Sequence, residues 1–337
     1  MYRLLLLVLS GALLSTASAA AATMPIVTEE FMVPSDTPGI QLYVRNKHPR
    51  GRSTYPDENI ILLLHGSIAA GEAVYDYPLG GLSWMDYIAQ RGYDVYLMDV
   101  RGYGRSSKPP EMAQPATANS AIVRSDAWLR DLSTVVDFIK QRRKATKIDL
   151  LGWSGGTVAV GAYTAAHNDS VVKLIQWAPQ WTRNGTSPFA PSPTTLGAYR
   201  MTDSVAAASG IFIGAPERAR ATLVPAGWLD QWAQANFGNG VPSPNGIFAD
   251  GVEYWNIGKP YYDASKIAVP TMIVHGEWDG VLPFAMTAAY WSQLTSAPYK
   301  RWVEIGEATH QIFIEKNRMQ MFREVQTFLD DAYKPES

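Results

Sequence analysis

The sequence predicts an α/β protein: one mostly parallel sheet with helices on both faces, and a helical segment inserted late in the chain. Three observations lead there. Five short runs, "NIILLLHGS" (59–67), "YDVYLMDV" (93–100), "KIDLLGWS" (147–154), "VVKLIQWAP" (171–179) and "PTMIVHGEWD" (270–279), are apolar nearly throughout instead of alternating. Strands covered on both faces read this way, because neither face meets water. Stretches with helical spacing separate several of these runs, and strand–helix alternation implies parallel pairing through crossover helices. The third observation is a break: from 184 to 262 the chain is rich in Pro, Gly, Ala and Trp, and no strand–helix unit can be placed.

Taken in order, "EEFMVPSDTPGIQLYVRNK" alternates around a Pro/Gly turn and predicts an antiparallel strand pair. "SWMDYIAQRG" (83–92) predicts a helix closed by a glycine C-cap, and "SDAWLRDLSTVVDFIKQRRK" (125–144) an amphipathic helix with Ser125 as N-cap. "GGTVAVGAYTAAH" predicts a helix rich in small residues. "RWVEIGEATH" (301–310) supplies a last strand and "QMFREVQTFLDDAY" a closing helix. Within 184–262, "ERARATL" and "GWLDQWAQANF" predict short helices. A structureless loop of that length is improbable inside a compact domain, so the segment reads as a cap. The expected organisation is a leader at 1–22, a core formed by 28–183 and 263–333, and the cap at 184–262.

The leader "MYRLLLLVLSGALLSTASAAAAT" has Arg3, an apolar stretch from Leu4 to Leu14, and small residues at Ala17 and Ala19. That is the layout of a secretory signal peptide, and its apolar core is short for a membrane span. The expectation is an exported protein, periplasmic or secreted, with no stable membrane insertion after cleavage. The chain has no cysteine, which excludes disulfides, thiolate metal sites and a lipidated N-terminal cysteine. A net charge of −2 gives no reason to expect nucleic acid as a partner. "KQRRK" (140–144) reads as the solvated end of a helix.

"GWSGG" (152–156) is where the chemistry concentrates. Gly152-Trp153-Ser154-Gly155-Gly156 fits G-x-S-x-G between a strand and a helix. A nucleophilic serine needs a tight, exposed turn at the strand's end, and glycines let neighbouring backbone pass without clashes. The helix that follows aims its N-terminal amides at any oxyanion formed there. The spacing of Lys and Gly that cradles phosphate is absent. Of the five histidines, His48 sits in a polar, basic stretch and His167 near a helix end, both reading as surface. His65 and His275 end buried strands before glycines, where a ring supports a loop. His310, after the last strand, is the candidate base. "HGEWDGVLP" offers Glu277 and Asp279 beyond another strand, and Asp279, farther out on the loop, is the candidate orienting acid. Candidate oxyanion donors are the amides of Gly155 and of Ser67, with Ile68 the alternative to Ser67.

Over residues 28–333 the chain resembles α/β-hydrolase-fold proteins, and in particular capped, esterase-like serine hydrolases. "LLLHGS", "DVRGYGRS", "GWSGG", "GEWDGVLP" and "ATHQIF" occur in that family's order. The resemblance implies a structural role for "DVRGYGRS", a cap inserted after strand 6, and a mechanism without metal or other cofactor. Bulky Trp153 before the nucleophile is a departure from it. The implied reaction is hydrolysis of a small-molecule substrate through an acyl-enzyme, with Ser154 as nucleophile, His310 as base and Asp279 as its partner. Serine at 154 argues against the aspartate-nucleophile branches. The cap's rings, Phe189 and Tyr199 among them, favour an apolar or aromatic carboxylic ester. Trp153, Trp181, Trp228 and Trp232 are the candidate substrate contacts. Lactonase, amidase or aminopeptidase, carbon–carbon hydrolase and cofactor-free haloperoxidase remain as alternatives on the same fold. A binding protein that kept the fold without catalysis is the alternative of a different class.

Overall fold

Each apolar run becomes a strand, and the sheet they form sets the site. The computed structural model describes residues 24–183, 185 and 196–333. The leader, Phe189 and the other residues of 186–195 lie outside them. An eight-stranded sheet runs in the order β1-β2-β4-β3-β5-β6-β9-β10. Its members are β1 (Ile26–Pro34), β2 (Gln41–Pro49), β3 (Ile60–Leu64), β4 (Asp94–Met98), β5 (Ile148–Trp153), β6 (Val171–Trp177), β9 (Thr271–Gly276) and β10 (Lys300–Ile305). β1 pairs antiparallel with β2, and β2 with β4; every other pairing is parallel. Ile60 to Leu64 are wholly buried, as a run without alternation requires. The parallel strands therefore end on one edge of the sheet, and the loops after β3, β5, β9 and β10 gather there. Open α/β sheets bind ligands at this edge.

The helices follow from the same patterns. α1 (Trp84–Ala89) is started by Ser83, whose hydroxyl accepts from the Asp86 amide at 3.0 Å, while the Asp86 carboxylate reaches back to the Ser83 amide. α2 (Ser125–Arg143) buries Trp128, Leu132, Val135, Val136 and Ile139 along one stripe. Its N-cap is Arg124, not the expected Ser125. The Ser125 amide instead donates to the Asp250 carboxylate at 2.6 Å, so an acid distant in sequence fills the capping role. α3 (Gly156–Ala166) lies against β5, and α9 (Arg318–Asp330) closes the fold.

Between β6 and β9 the described chain forms α4 (Ser204–Gly210), α5 (Glu217–Leu223), α6 (Trp228–Phe237) and α7 (Gly246–Glu253). The two short helices expected from sequence are α5 and α6. A ribbon of β7 (Tyr199–Thr202) and β8 (Val241–Pro244) was not expected. Pro242 and Pro244 hide it, because proline argues against a strand except at an edge, and a two-stranded ribbon is all edge. α8 (Phe284–Gln293), between β9 and β10, also went unassigned in the sequence. The insertion is fastened to the core by specific bonds. Trp232 Nε1 donates to the Ala73 carbonyl at 2.8 Å, Thr309 Oγ1 to the Ile211 carbonyl at 2.8 Å, and Arg124 pairs with Asp250 at 2.6 Å.

Candidate active site

At the end of β5 the chain turns sharply and Ser154 takes φ +54°. A non-glycine residue in the left-handed region is strained and persists only where its surroundings impose it. The glycines on either side make the turn sterically feasible. A Cβ on Gly152 would lie 2.6 Å from Val160 Cγ2, and one on Gly156 would lie 2.3 Å from the His65 carbonyl oxygen. Gly155 has more room, its nearest neighbour being Ile247 at 3.3 Å. The two glycines of the motif are thus demanded by close backbone approach, while Gly155 is not.

Ser154 Oγ lies 2.9 Å from His310 Nε2, and His310 Nδ1 lies 2.8 Å from Asp279 Oδ2. The second Asp279 oxygen accepts from the amides of Val281 at 2.9 Å and Leu282 at 2.8 Å. Those two amides fix the carboxylate as an acceptor, so His310 carries its proton on Nδ1 and turns a lone pair on Nε2 toward Ser154. All three side chains are buried, with Ser154 8% exposed. Glu277, two residues before Asp279, is exposed and accepts from the Glu307 amide at 2.8 Å.

The His310 loop is held from beneath. Glu315, fully buried, accepts from the amide and the hydroxyl of Thr309. Burial pushes its carboxyl up to about 7, against the Thr309 bonds that favour the charge. Trp153 is the other support. Its ring stacks on Trp177 with centroids 5.0 Å apart, and its Nε1 donates to the His310 carbonyl at 3.1 Å. The bulky residue before Ser154 is a strut that holds the His310 backbone.

Ser67 follows β3 and lies against Gly155: a Cβ on Gly155 would be 3.4 Å from that of Ser67. Neither amide donates to a described residue. A cavity of about 830 Å³, counted to its mouth, opens over Ser154 and His310. Its apolar lining is Ile68, Ile213, Ile247, Phe248, Val281, Leu282 and Trp255, the one tryptophan among the described lining residues, and Gln180, Asn256 and Gln311 add polar groups.

None of the four tryptophans expected to contact substrate is among the described lining residues of this cavity. Trp181 packs its ring against Tyr262 and Tyr290. Trp228 lies under the Arg318 guanidinium, 4.6 Å away, beside Gly80. Trp153 and Trp232 touch only a smaller adjoining cavity, which Arg200 and Gln311 share. Ring size drew attention to residues whose area is spent on packing. Lining residues such as Ile247 and Arg200 carry no local sequence pattern that marks them. Arg200 enters the cavity because the unexpected ribbon delivers it.

The remaining histidines sort by hydrogen bonds. His65 Nε2 accepts from the Val100 amide at 3.1 Å, and Nδ1 donates to the Gly66 carbonyl at 2.7 Å. Burial lowers its pKa, and the ring is a neutral loop support. His275 bridges the Leu282 carbonyl at 2.8 Å and Glu304 at 2.9 Å, holding the loop that carries Asp279. Burial opposes its charge, but the Glu304 bond and the nearby Asp279 raise its pKa. His167 is exposed at the end of α3. His48 departs from expectation: it lies in β2, is 8% exposed and meets Glu29 at 3.1 Å. Within "DVRGYGRS", the Asp99 carboxylate accepts from the amides of Gly71 at 2.8 Å and Arg105 at 2.9 Å. Tyr103 donates to the Ser67 carbonyl at 3.2 Å.

Comparison with known proteins gives the following. The model of the family described as serine aminopeptidase, S33, matches residues 58–210, a span that includes Ser67 and Ser154 and stops before Asp279 and His310. A putative non-heme chloroperoxidase of Synechocystis sp. is 26% identical over 68% of this chain and 77% of its own length. Among solved structures, the 2-hydroxy-6-oxo-6-phenylhexa-2,4-dienoate hydrolase of Rhodococcus sp. strain RHA1 superimposes with a TM-score of 0.63 at 11% identity, over 92% of this chain and 100% of that one. A thermophilic esterase from Thermogutta terrifontis, with malate bound, does so with a TM-score of 0.58 at 16% identity, over 89% and 98%.

Proposed function

We propose that this chain, which has the α/β-hydrolase fold, is an exported serine hydrolase that cleaves a carboxylic ester of apolar or aromatic character. One observation carries the reading: Ser154, strained at φ +54°, is hydrogen-bonded to His310, which is hydrogen-bonded in turn to Asp279. His310 takes the Ser154 proton as Oγ attacks the acyl carbon, and the imidazolium that forms is steadied by Asp279. The amides of Gly155 and Ser67 receive the oxyanion, each worth ~3 kcal/mol in the transition state. The protonated His310 then hands its proton to the leaving alkoxide, and water, deprotonated by the same imidazole, frees the acid. The largely apolar walls of the cavity support an apolar or aromatic acyl or alcohol part. The esterase among the structural neighbours agrees with an ester, and the leader's composition supports export. No described helix is long and apolar enough to cross a membrane.

A fluorophosphonate probe tests the reading. The folded protein is expected to label on Ser154, and Ser154→Ala to remove labelling and turnover of aryl esters while keeping its melting temperature. A wild type that is folded and does not label, or a Ser154→Ala variant that retains turnover, refutes it. The chloroperoxidase relative favours one second reading, peroxide-dependent halogenation at the same serine. A halogenation assay in carboxylate buffer with peroxide separates it from plain hydrolysis.

A further inference from the structure

Arg200 is a cation without a counter-anion in a cavity built over the reactive serine. It rises from β7 and lines both the main cavity and the smaller one beside it. Its Nη2 donates to the Ser67 carbonyl at 2.6 Å; its Nη1 donates to the Pro244 carbonyl at 3.0 Å and to Asn245 Oδ1 at 3.1 Å. The guanidinium also lies over the Phe248 ring, 4.4 Å from its centroid. No carboxylate among the described residues pairs with it, and no described Asp or Glu lines the cavity. Burial lowers its pKa, with the Tyr103 hydroxyl the one group opposing that shift.

A guanidinium has five N–H donors, and three are assigned. Nε–H and one Nη2–H remain, two donors left for the oxygens of a carboxylate. A tie between the ribbon and the Ser67 loop needs hydrogen bonds but no charge, and a neutral amide side chain supplies those. A partly buried, unpaired charge is costly, and an arriving anion offsets that cost. The ring beneath and the three carbonyl-type acceptors hold the fork in place before any ligand arrives, so little ordering is left to offset on binding.

We propose that Arg200 is a specificity-determining residue, and that the preferred substrate carries a carboxylate a few bonds from the carbonyl that Ser154 attacks. The placement follows from the tether. Arg200 holds the carbonyl of Ser67, the residue proposed above to give one oxyanion donor, so the two negative charges of the bound substrate both fall next to Ser67. An acyl group with an apolar or aromatic body and a terminal carboxylate fits the walls and this one cation together. The inference rests on Ser154 acting as the acyl acceptor, and it narrows the ester to an anionic one.

Matched aryl esters test it: 4-nitrophenyl hemiesters of succinic and adipic acid against their neutral, amide-capped analogues, with background hydrolysis subtracted. Wild type is expected to favour the better-fitting anionic ester at least tenfold in kcat/KM. Arg200→Gln is expected to lower that anionic-to-neutral ratio at least tenfold, and Arg200→Lys to lower it less. Using the ratio cancels any loss that comes through the Ser67 tether. A ratio that is the same in wild type and Arg200→Gln, or that favours the neutral ester in wild type, overturns the proposal. Should Arg200→Gln fail to fold, protection of wild-type Ser154 from a fluorophosphonate gives the answer: adipate is expected to slow labelling at least tenfold more than adipamide, and equal protection overturns it. If wild type neither labels nor turns over any ester, the hydrolase reading has failed. The anion site then stands or falls on whether adipate raises the melting temperature of wild type more than that of Arg200→Lys.

Discussion

Replacing Asp279 by Asn isolates the proton logic of the site from its packing. The substitution changes one oxygen to an NH2 group of nearly the same size. The amides of Val281 and Leu282, at 2.9 and 2.8 Å, both donate to Oδ1, so they force the asparagine oxygen into that position. The NH2 group must then occupy the place of Oδ2, 2.8 Å from His310 Nδ1. Two donors cannot share that contact, so His310 shifts its proton to Nε2 and presents an N–H to Ser154 where a lone pair is needed. The base is lost without a cavity or a missing side chain. Tautomer errors of this kind cost roughly 10⁴ in kcat, about 5.5 kcal/mol of barrier. Pre-steady-state acylation by a 4-nitrophenyl ester is the measurement, since it reads the step in which His310 acts as base. The folded structure keeps both loop bonds, and the melting temperature is expected to stay within a few degrees. A loss of less than ~10-fold in the acylation rate, in a folded variant, refutes the assignment of Asp279 as the group that sets the His310 tautomer.

Two further outcomes follow from the supports of the site. Gly156→Ala sets a methyl 2.3 Å from the His65 carbonyl and 2.9 Å from that of Leu64. Both are backbone of the neighbouring strand and its loop, so the expected destabilisation in urea unfolding is about 3 kcal/mol or more, and a change below ~1 kcal/mol refutes the close-approach argument. Glu315, held at about 7 against an ordinary 4.5, makes the native state bind a proton that the unfolded chain has released between those values. Its contribution to stability is therefore full below about 4.5 and is lost as pH rises through about 7. Glu315→Gln carries no such proton, so the stability of the variant relative to wild type is expected to rise across that window by about 3 kcal/mol, and a pH-independent difference refutes the burial argument.

What the sequence disclosed is what repeats locally. Unbroken apolar runs give the parallel strands, and "GWSGG" announces a turn because Gly152 and Gly156 sit where a Cβ would collide with their neighbours. His310 and Asp279 were legible for a related reason: strand-end position puts a side chain on the edge where the site forms, whatever the tertiary detail. The cavity walls were not legible. Arg200 reaches the cavity over Ser154 from a ribbon whose two prolines mask it, and Ile247 from the first turn of α7 just after that ribbon; no periodicity within "AYRMTD" marks the arginine. The tryptophans misled in the opposite direction. Large rings are conspicuous in a sequence, yet Trp181, Trp228 and Trp232 are drawn into packing by the same apolar area that made them candidates. For Trp153 the decisive feature is one indole N–H to the His310 carbonyl, a contact 157 positions away in the chain.

The bonds across the insertion bear on how the site is held together. The Ser67 carbonyl accepts from Tyr103 of the core and from Arg200 of the insertion. Tyr103 also donates to the Pro244 carbonyl of the ribbon at 3.3 Å. The loop that offers one oxyanion donor is thus clamped from both sides. On the other flank, Thr309 joins the Ile211 carbonyl of the insertion to Glu315 beneath the His310 loop. An insertion that served only to cover the cavity would need contacts at its rim. This one reaches Thr309, next to His310, and Ser67, so displacing it disturbs the groups around Ser154 as well as the cavity walls. Substrate contacts made in the insertion can therefore be felt at the chemical step, in kcat as well as KM. Arg200 is where the two meet, since the same guanidinium that awaits an anion also fixes Ser67.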